Sequence, residues 1–302
     1  RPLFVFLHLF DAHHPYQPPP SHDRMYYPAD ADPADPSLPE LQTREPFIPA
    51  YILRAGIRDL AFPRAQYRAV ITYLDSQLER LFSRQRVQDG LIAITADHGE
   101  ILEKAGSYFN HGELFPDTLH VPLILGGARV PEEYRGLRVG ASVDHLNLGR
   151  TLLDLSGLGS AEFPGSNLLA AADPASNGAR DLDLYAISAH GFSASIRRGR
   201  WFLLLHMQTH QGNLVRERVR HTVELYDLQS DPECLQDLAA TRDKQAQILR
   251  AALISWLAEA SSEHLSVQRQ TSEAEIAQLE AMGYANEETV VADEPWYDPD
   301  AH

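Results

Sequence analysis

Three stretches of the chain, residues 3–10, 91–95 and 121–125, are apolar runs without clean alternation. They are shorter than the roughly 20 residues that span a bilayer. They predict strands buried on both faces, as in a parallel sheet covered by helices. Each run ends in polar or glycine residues: Asp11 to His13, Asp97 to Glu100, and Gly126 with Gly127. Ligands in open α/β sheets bind at the carboxyl ends of the strands, so the first two polar clusters are expected to meet.

Between the first two runs, residues 17–49 form a long loop rich in Pro, Asp and Tyr, suited to walling a cleft. In residues 65–84, Tyr67, Val70, Ile71, Leu74, Leu78, Leu81 and Phe82 follow helical spacing. Residues 146–155 predict a second helix, and residues 158–180, rich in Gly, Ala, Asn and Pro, predict a boundary. Beyond it the period changes. Residues 184–188, 193–198, 201–207 and 223–228 predict short strands, Arg198-Gly199-Arg200 a tight hairpin turn, and residues 244–260 a packed helix. The expected division is residues 1–165 as an α/β domain, residues 180–260 as a small antiparallel-sheet subdomain, and residues 261–302 as a helical and acidic tail with a mobile end. A further helix is expected over residues 273–282. No internal repeat is visible.

Charge narrows the partners. A net charge of −16 argues against nucleic acid or an anionic membrane as a broad-face partner. An anionic substrate stays compatible, because one metal ion reverses the field in a cleft. The single cysteine, Cys234, excludes a disulfide framework within these residues. The chain opens on Arg1 inside an apolar run. It is therefore expected to be the C-terminal portion of a longer protein, and the compartment cannot be read from it.

The chemistry concentrates in histidine-bearing segments. Asp97-His98-Gly99-Glu100 follows the second run. A carboxylate beside an imidazole at a buried strand end is costly to leave unpaired, and a divalent cation would offset that cost. The alternative is a helix N-cap by Asp97 with His98 hydrogen-bonded nearby. In Asp11-Ala12-His13-His14-Pro15-Tyr16, His13 can carry a proton near neutral pH. Asn110-His111-Gly112 offers an imidazole for an anionic oxygen or a metal. Taken singly, His13 and His111 also suit ordinary loop histidines. Together the three loops make the layout of a metal-assisted hydrolytic site.

The order His13-His14-Pro15-Tyr16, Asp97-His98-Gly99-Glu100, Asn110-His111-Gly112 and His120-Val121-Pro122-Leu123-Ile124 resembles the sulfatase family of the alkaline phosphatase superfamily. So do Val143-Asp144-His145 with Thr151 to Leu155, Glu224 to Leu228 with Asp231-Pro232-Glu233, and Ala281-Met282-Gly283-Tyr284. The resemblance implies an alkaline-phosphatase-like α/β fold, with a largely parallel sheet covered by helices and a small C-terminal antiparallel sheet with a packed helix. Residues 1–165 become the C-terminal part of the catalytic domain. Asp97 and His98 are implied to bind one divalent cation, calcium in most of the family, with manganese or zinc as alternatives. His13 is implied to contact the sulfate ester and protonate the leaving group. His111 stands near where many members place a lysine that holds a sulfate oxygen. A small-molecule or carbohydrate sulfate ester is the implied substrate, and a periplasmic or secreted location is suggested, with the cytoplasm as the alternative.

The family nucleophile, a cysteine converted to formylglycine or a serine, lies in a Cys/Ser-x-Pro-x-Arg stretch that is absent from these 302 residues. It is expected upstream with a pair of metal-binding aspartates, and this chain alone is expected to have little turnover. Cys234, followed by Leu235-Gln236-Asp237, is out of register for that role and reads as a structural thiol. Two other readings stay open: a phosphate or phosphonate ester hydrolase on the same scaffold, and a non-catalytic metal- or anion-binding relative. His98, where many sulfatases carry asparagine, leans toward the first, because imidazole suits transition metals better than calcium.

Overall fold

A computed structural model describes residues 3–41, 48–104, 106–159, 162–172, 182–188, 191–210 and 217–259. In the first region, α1 (Ala50–Arg54), α2 (Ala61–Phe82) and α3 (Gln85–Gln88) lead into β1 (Ile92–Thr95). Then come α4 (Pro116–Leu119), β2 (Leu123–Gly126), a 3-10 turn at Glu132–Tyr134, α5 (His145–Ser156) and α6 (Leu168–Ala172). The second region holds β3 (Leu184–Ile187), β4 (Ser193–Arg198), β5 (Trp201–His206), β6 (Val223–Asp227) and α7 (Asp243–Glu259). The helix expected over residues 273–282 and the tail lie outside the described residues.

The expected helices form where the apolar spacing puts them. Val70 on α2 packs with Tyr16, Ile48, Ile52 and Phe109 in one buried cluster, flanked by Tyr67 and Leu74. That cluster clamps the chain just after His13 and just before His111. At the start of α5, Asp144 Oδ1 accepts from the Asn147 N–H at 2.9 Å, and Asn147 Oδ1 accepts from the Asp144 N–H at 3.0 Å. This reciprocal cap satisfies two otherwise orphaned donors. Residues beyond α5 fold back on it: the Leu168 N–H donates to Thr151 Oγ1 at 2.7 Å.

β1 and β2 form where expected but pair antiparallel, Ile92 opposite Gly126 and Thr95 opposite Leu123. The expected strand over residues 3–10 is not formed. This segment has no ladder partner among the described residues, and Leu3, Phe4, Val5 and Phe6 are 69–84% exposed. An apolar run records a demand for burial; a strand also needs a neighbour for its N–H and C=O groups.

The second region follows its sequence pattern closely. Its sheet runs in the order β3-β4-β5-β6, every pair antiparallel. Arg198 pairs with Trp201. The two-residue loop between them has Gly199 at φ +57°, the left-handed backbone that glycine adopts without a Cβ penalty. Ala246, Leu249 and Leu253 of α7 pack on Ile196, Leu203, Leu205 and Leu225. Full burial of each large apolar side chain contributes about 1.5–3 kcal/mol. The opposite face joins the two regions, where Phe202, Tyr226 and Cys234 pack with Ile101 and Phe115. Buried Lys104 ties the same seam, with Nζ 2.5 Å from Asp117 Oδ2 and donating to the Glu233 carbonyl at 2.8 Å.

Candidate active site

The chain turns sharply after β1. The Asp97 carboxylate is 75% exposed and accepts from the His98 N–H at 3.0 Å. The Gly99 N–H donates to the Thr118 carbonyl at 2.8 Å. A Cβ on Gly99 would stand 2.0 Å from the Asp117 carbonyl oxygen, so only glycine allows this approach to α4. An antiparallel bridge follows, with Ile101 opposite Asn110 and Lys104 opposite Ser107. It brings the residues just outside it, Glu100 and His111, face to face, with His111 Nδ1 3.6 Å from Glu100 Oε2. Both side chains are well buried, at 16% and 5% exposure.

The loop after residue 10 supplies two more imidazoles. Its turn is closed by the His13 N–H donating to the Phe10 carbonyl at 3.1 Å. The His13 Nδ1–H donates to the His14 carbonyl at 2.6 Å, which assigns the transferable or ligating role to Nε2. The His98 Nδ1–H likewise donates to the Gly99 carbonyl at 2.8 Å. The His98 and His111 rings stack at 4.2 Å between centroids, with His13 5.0 Å and His14 5.4 Å from His111. His14 also stacks on Tyr51 at 5.5 Å.

Burial sets the electrostatics. Desolvation lowers His13, partly offset by its backbone hydrogen bond, and takes His14 down to about 4. The Tyr16 and Tyr51 phenols are pushed up by burial and then by the charge of Glu100. Burial also pushes the Cys234 thiol up to about 12, which suits a structural thiol.

His13, His98 and His111, singled out in the sequence, therefore come together, with Asp97 at the rim. Three residues without an assigned role join them: Glu100, His14 and Tyr51. Glu100 stands inside the Asp-His-Gly-Glu motif, but its role depends on the bridge between Ile101 and Asn110. Ligand atoms of His13, His14 and His111 lie within 4.8 Å of one another, the arrangement among the described residues that could hold a metal.

The sulfatase family model matches residues 1–158, more than half of the chain and all of the segments just described. The chain belongs to the sulfatase family. A protein named sulfatase from Formosa agariphila is 27% identical over 129 residues, 41% of this sulfatase-family chain and 24% of that protein. Among solved structures, yidJ of Bacteroides fragilis aligns with TM-score 0.54 and 20% identity, over 80% of this chain and 50% of that one. The phosphonate monoester hydrolase of Agrobacterium radiobacter aligns with TM-score 0.51 and 23% identity, over 67% and 42%. BT4656, solved with its substrate D-glucosamine-2-N,6-O-disulfate, aligns with TM-score 0.52 and 16% identity, over 68% and 42%. The fold is therefore the alkaline-phosphatase-like α/β fold of these proteins. The chain spans half or less of the length of each of these relatives. No helix among the described residues is long and apolar enough to cross a membrane.

Proposed function

We propose that this chain supplies the acid and cation-binding part of a site that hydrolyses sulfate esters, on small molecules or sulfated carbohydrates. The observation that carries the reading is the meeting of three loops at His111, which stacks on His98, contacts Glu100 and lies 5.0 Å from His13. Family membership, and a relative solved with a disulfated glucosamine as its substrate, support the choice of ester.

The side chains at the turn fit a divalent cation. Asp97 Oδ2 lies 3.9 Å from His98 Nε2, and the hydrogen bond at Nδ1 leaves that Nε2 as the ligating atom. Bound there, a cation, calcium or a transition metal, would supply positive charge against the ester oxygens. His13 hands a proton to the leaving oxygen, its ring fixed by the bond to the His14 carbonyl. His111, held by Glu100, offsets charge on a second ester oxygen. The nucleophile, formylglycine in this reading, comes from a segment outside the 302 residues.

A second reading, phosphate or phosphonate monoester hydrolysis, is favoured by the imidazole of His98 and by the fold shared with a phosphonate monoester hydrolase. The test is to express residues 1–302 with whatever precedes them in the natural coding sequence. Rates are then compared on 4-nitrophenyl sulfate, 4-nitrophenyl phosphate and a phenylphosphonate monoester. Fastest turnover of the sulfate supports the first reading; a preference for either phosphorus ester replaces it with the second.

A further inference from the structure

The three-imidazole group is chemically unlike the turn at Asp97. We propose that His13, His14 and His111 form a separate binding site for a zinc-class transition-metal cation, adjacent to the Asp97 and His98 position. Their ligand atoms lie within 4.8 Å of one another, and none of the three side chains is fully exposed. Tetrahedral zinc with bonds of about 2.0–2.1 Å requires nitrogens about 3.4 Å apart. Closing the site requires ring rotations that bring the three nitrogens to that spacing. Three neutral nitrogen ligands select zinc, cobalt or copper over calcium, which takes six to eight oxygens.

Two further features point to a ligand. His14 Nδ1 is a buried atom without a hydrogen-bond partner, and a cation satisfies such a group. An outer shell is also in place. The His13 Nδ1–H is fixed on the His14 carbonyl, His14 lies on Tyr51, and Glu100 stands beside His111. Three protein ligands leave a fourth position for water or an anionic oxygen. Occupancy engages the same His13 nitrogen that proton transfer uses, so zinc loading and acid catalysis compete for it.

The test uses the 302-residue chain, stripped with a chelator and titrated with Co2+ alone. The expected result is one tight equivalent with the intense visible bands of four-coordinate cobalt, displaced by Zn2+ and unaffected by millimolar Ca2+. X-ray absorption on the zinc form of the unsubstituted chain should show three imidazole nitrogens, which keeps the proposal testable even where a variant folds poorly. His14→Ala and His111→Ala are each expected to weaken binding at least 100-fold, whereas Asp97→Ala leaves it within threefold. Binding unchanged by His14→Ala, an oxygen-dominated shell, or loss in Asp97→Ala overturns the proposal. None of these readouts needs turnover, so the hydrolase reading stands or falls separately.

Discussion

Glu100 Oε2 lies 3.6 Å from His111 Nδ1, although eleven positions separate the two residues, because the bridge between Ile101 and Asn110 folds the chain back on itself. The contact sets a carboxylate beside an imidazole in the middle of the site. Replacing Glu100 by Gln keeps the size of the side chain and removes its charge. The expected effect in the longer protein is a loss of about 10–100-fold in kcat/KM, the range seen when a partner orienting a site histidine is removed. Steady-state kinetics on an aryl ester check it, with circular dichroism confirming the fold.

Gly99 is the narrowest point of the turn. A methyl group there meets the Asp117 carbonyl oxygen at 2.0 Å, and the backbone must give way. Gly99→Ala should destabilise the chain by about 1–3 kcal/mol, the usual cost of overpacking. It should also displace Asp97 and His98, which flank the same turn. Urea unfolding, with the midpoint compared at unchanged m, measures the first effect.

The C-terminal sheet is a scaffold: Phe202 and Tyr226 pack on Ile101 beside the site, and none of its side chains is among the site residues described above. Leu249 on α7 is fully buried against β4, β5 and β6. Leu249→Ala should cost about 2–5 kcal/mol through lost burial and the cavity left behind. Denaturant unfolding reads that cost. Activity per folded molecule is expected to stay at the unsubstituted level.

Part of the acid sensitivity should trace to an ion pair of this sheet. Arg200 Nε donates to Asp227 Oδ1 at 2.6 Å, and the guanidinium holds the Asp227 carboxyl down at about 2. A carboxyl lowered in the folded state stabilises the fold above its unfolded value of about 4, and that contribution fades as pH falls toward 2. Asp227→Asn should therefore flatten the stability curve between about pH 4 and 2 and leave its shape near pH 7 unchanged. Thermal melts across that range test it.

How much could be read from the sequence differs by region. β3 to β6, α2, α5 and α7 follow local patterns, namely short runs between turn residues, helical spacing and the Gly199 turn, so their positions were legible. The pairing of β1 with β2 was not, because pairing direction depends on which distant segment lies alongside. Residues 3–10 read as a strand from their apolar run, yet no described strand adjoins them. At the site, His13, Asp97, His98 and His111 stood out in the sequence as candidates. Glu100 and His14 were not singled out, since their importance comes from the fold of residues 101–110 and from Tyr51 stacking on His14.

The most direct test of the central claim is the dependence of the His13→Ala effect on the leaving group, measured in the longer protein as kcat/KM for 4-nitrophenyl sulfate and for phenyl sulfate. A proton donor matters most where the leaving oxygen is most basic. The account predicts a loss of about 10²–10⁴-fold on phenyl sulfate and a much smaller loss on the nitrophenyl ester. Equal losses on both esters, or no loss on either, would contradict it.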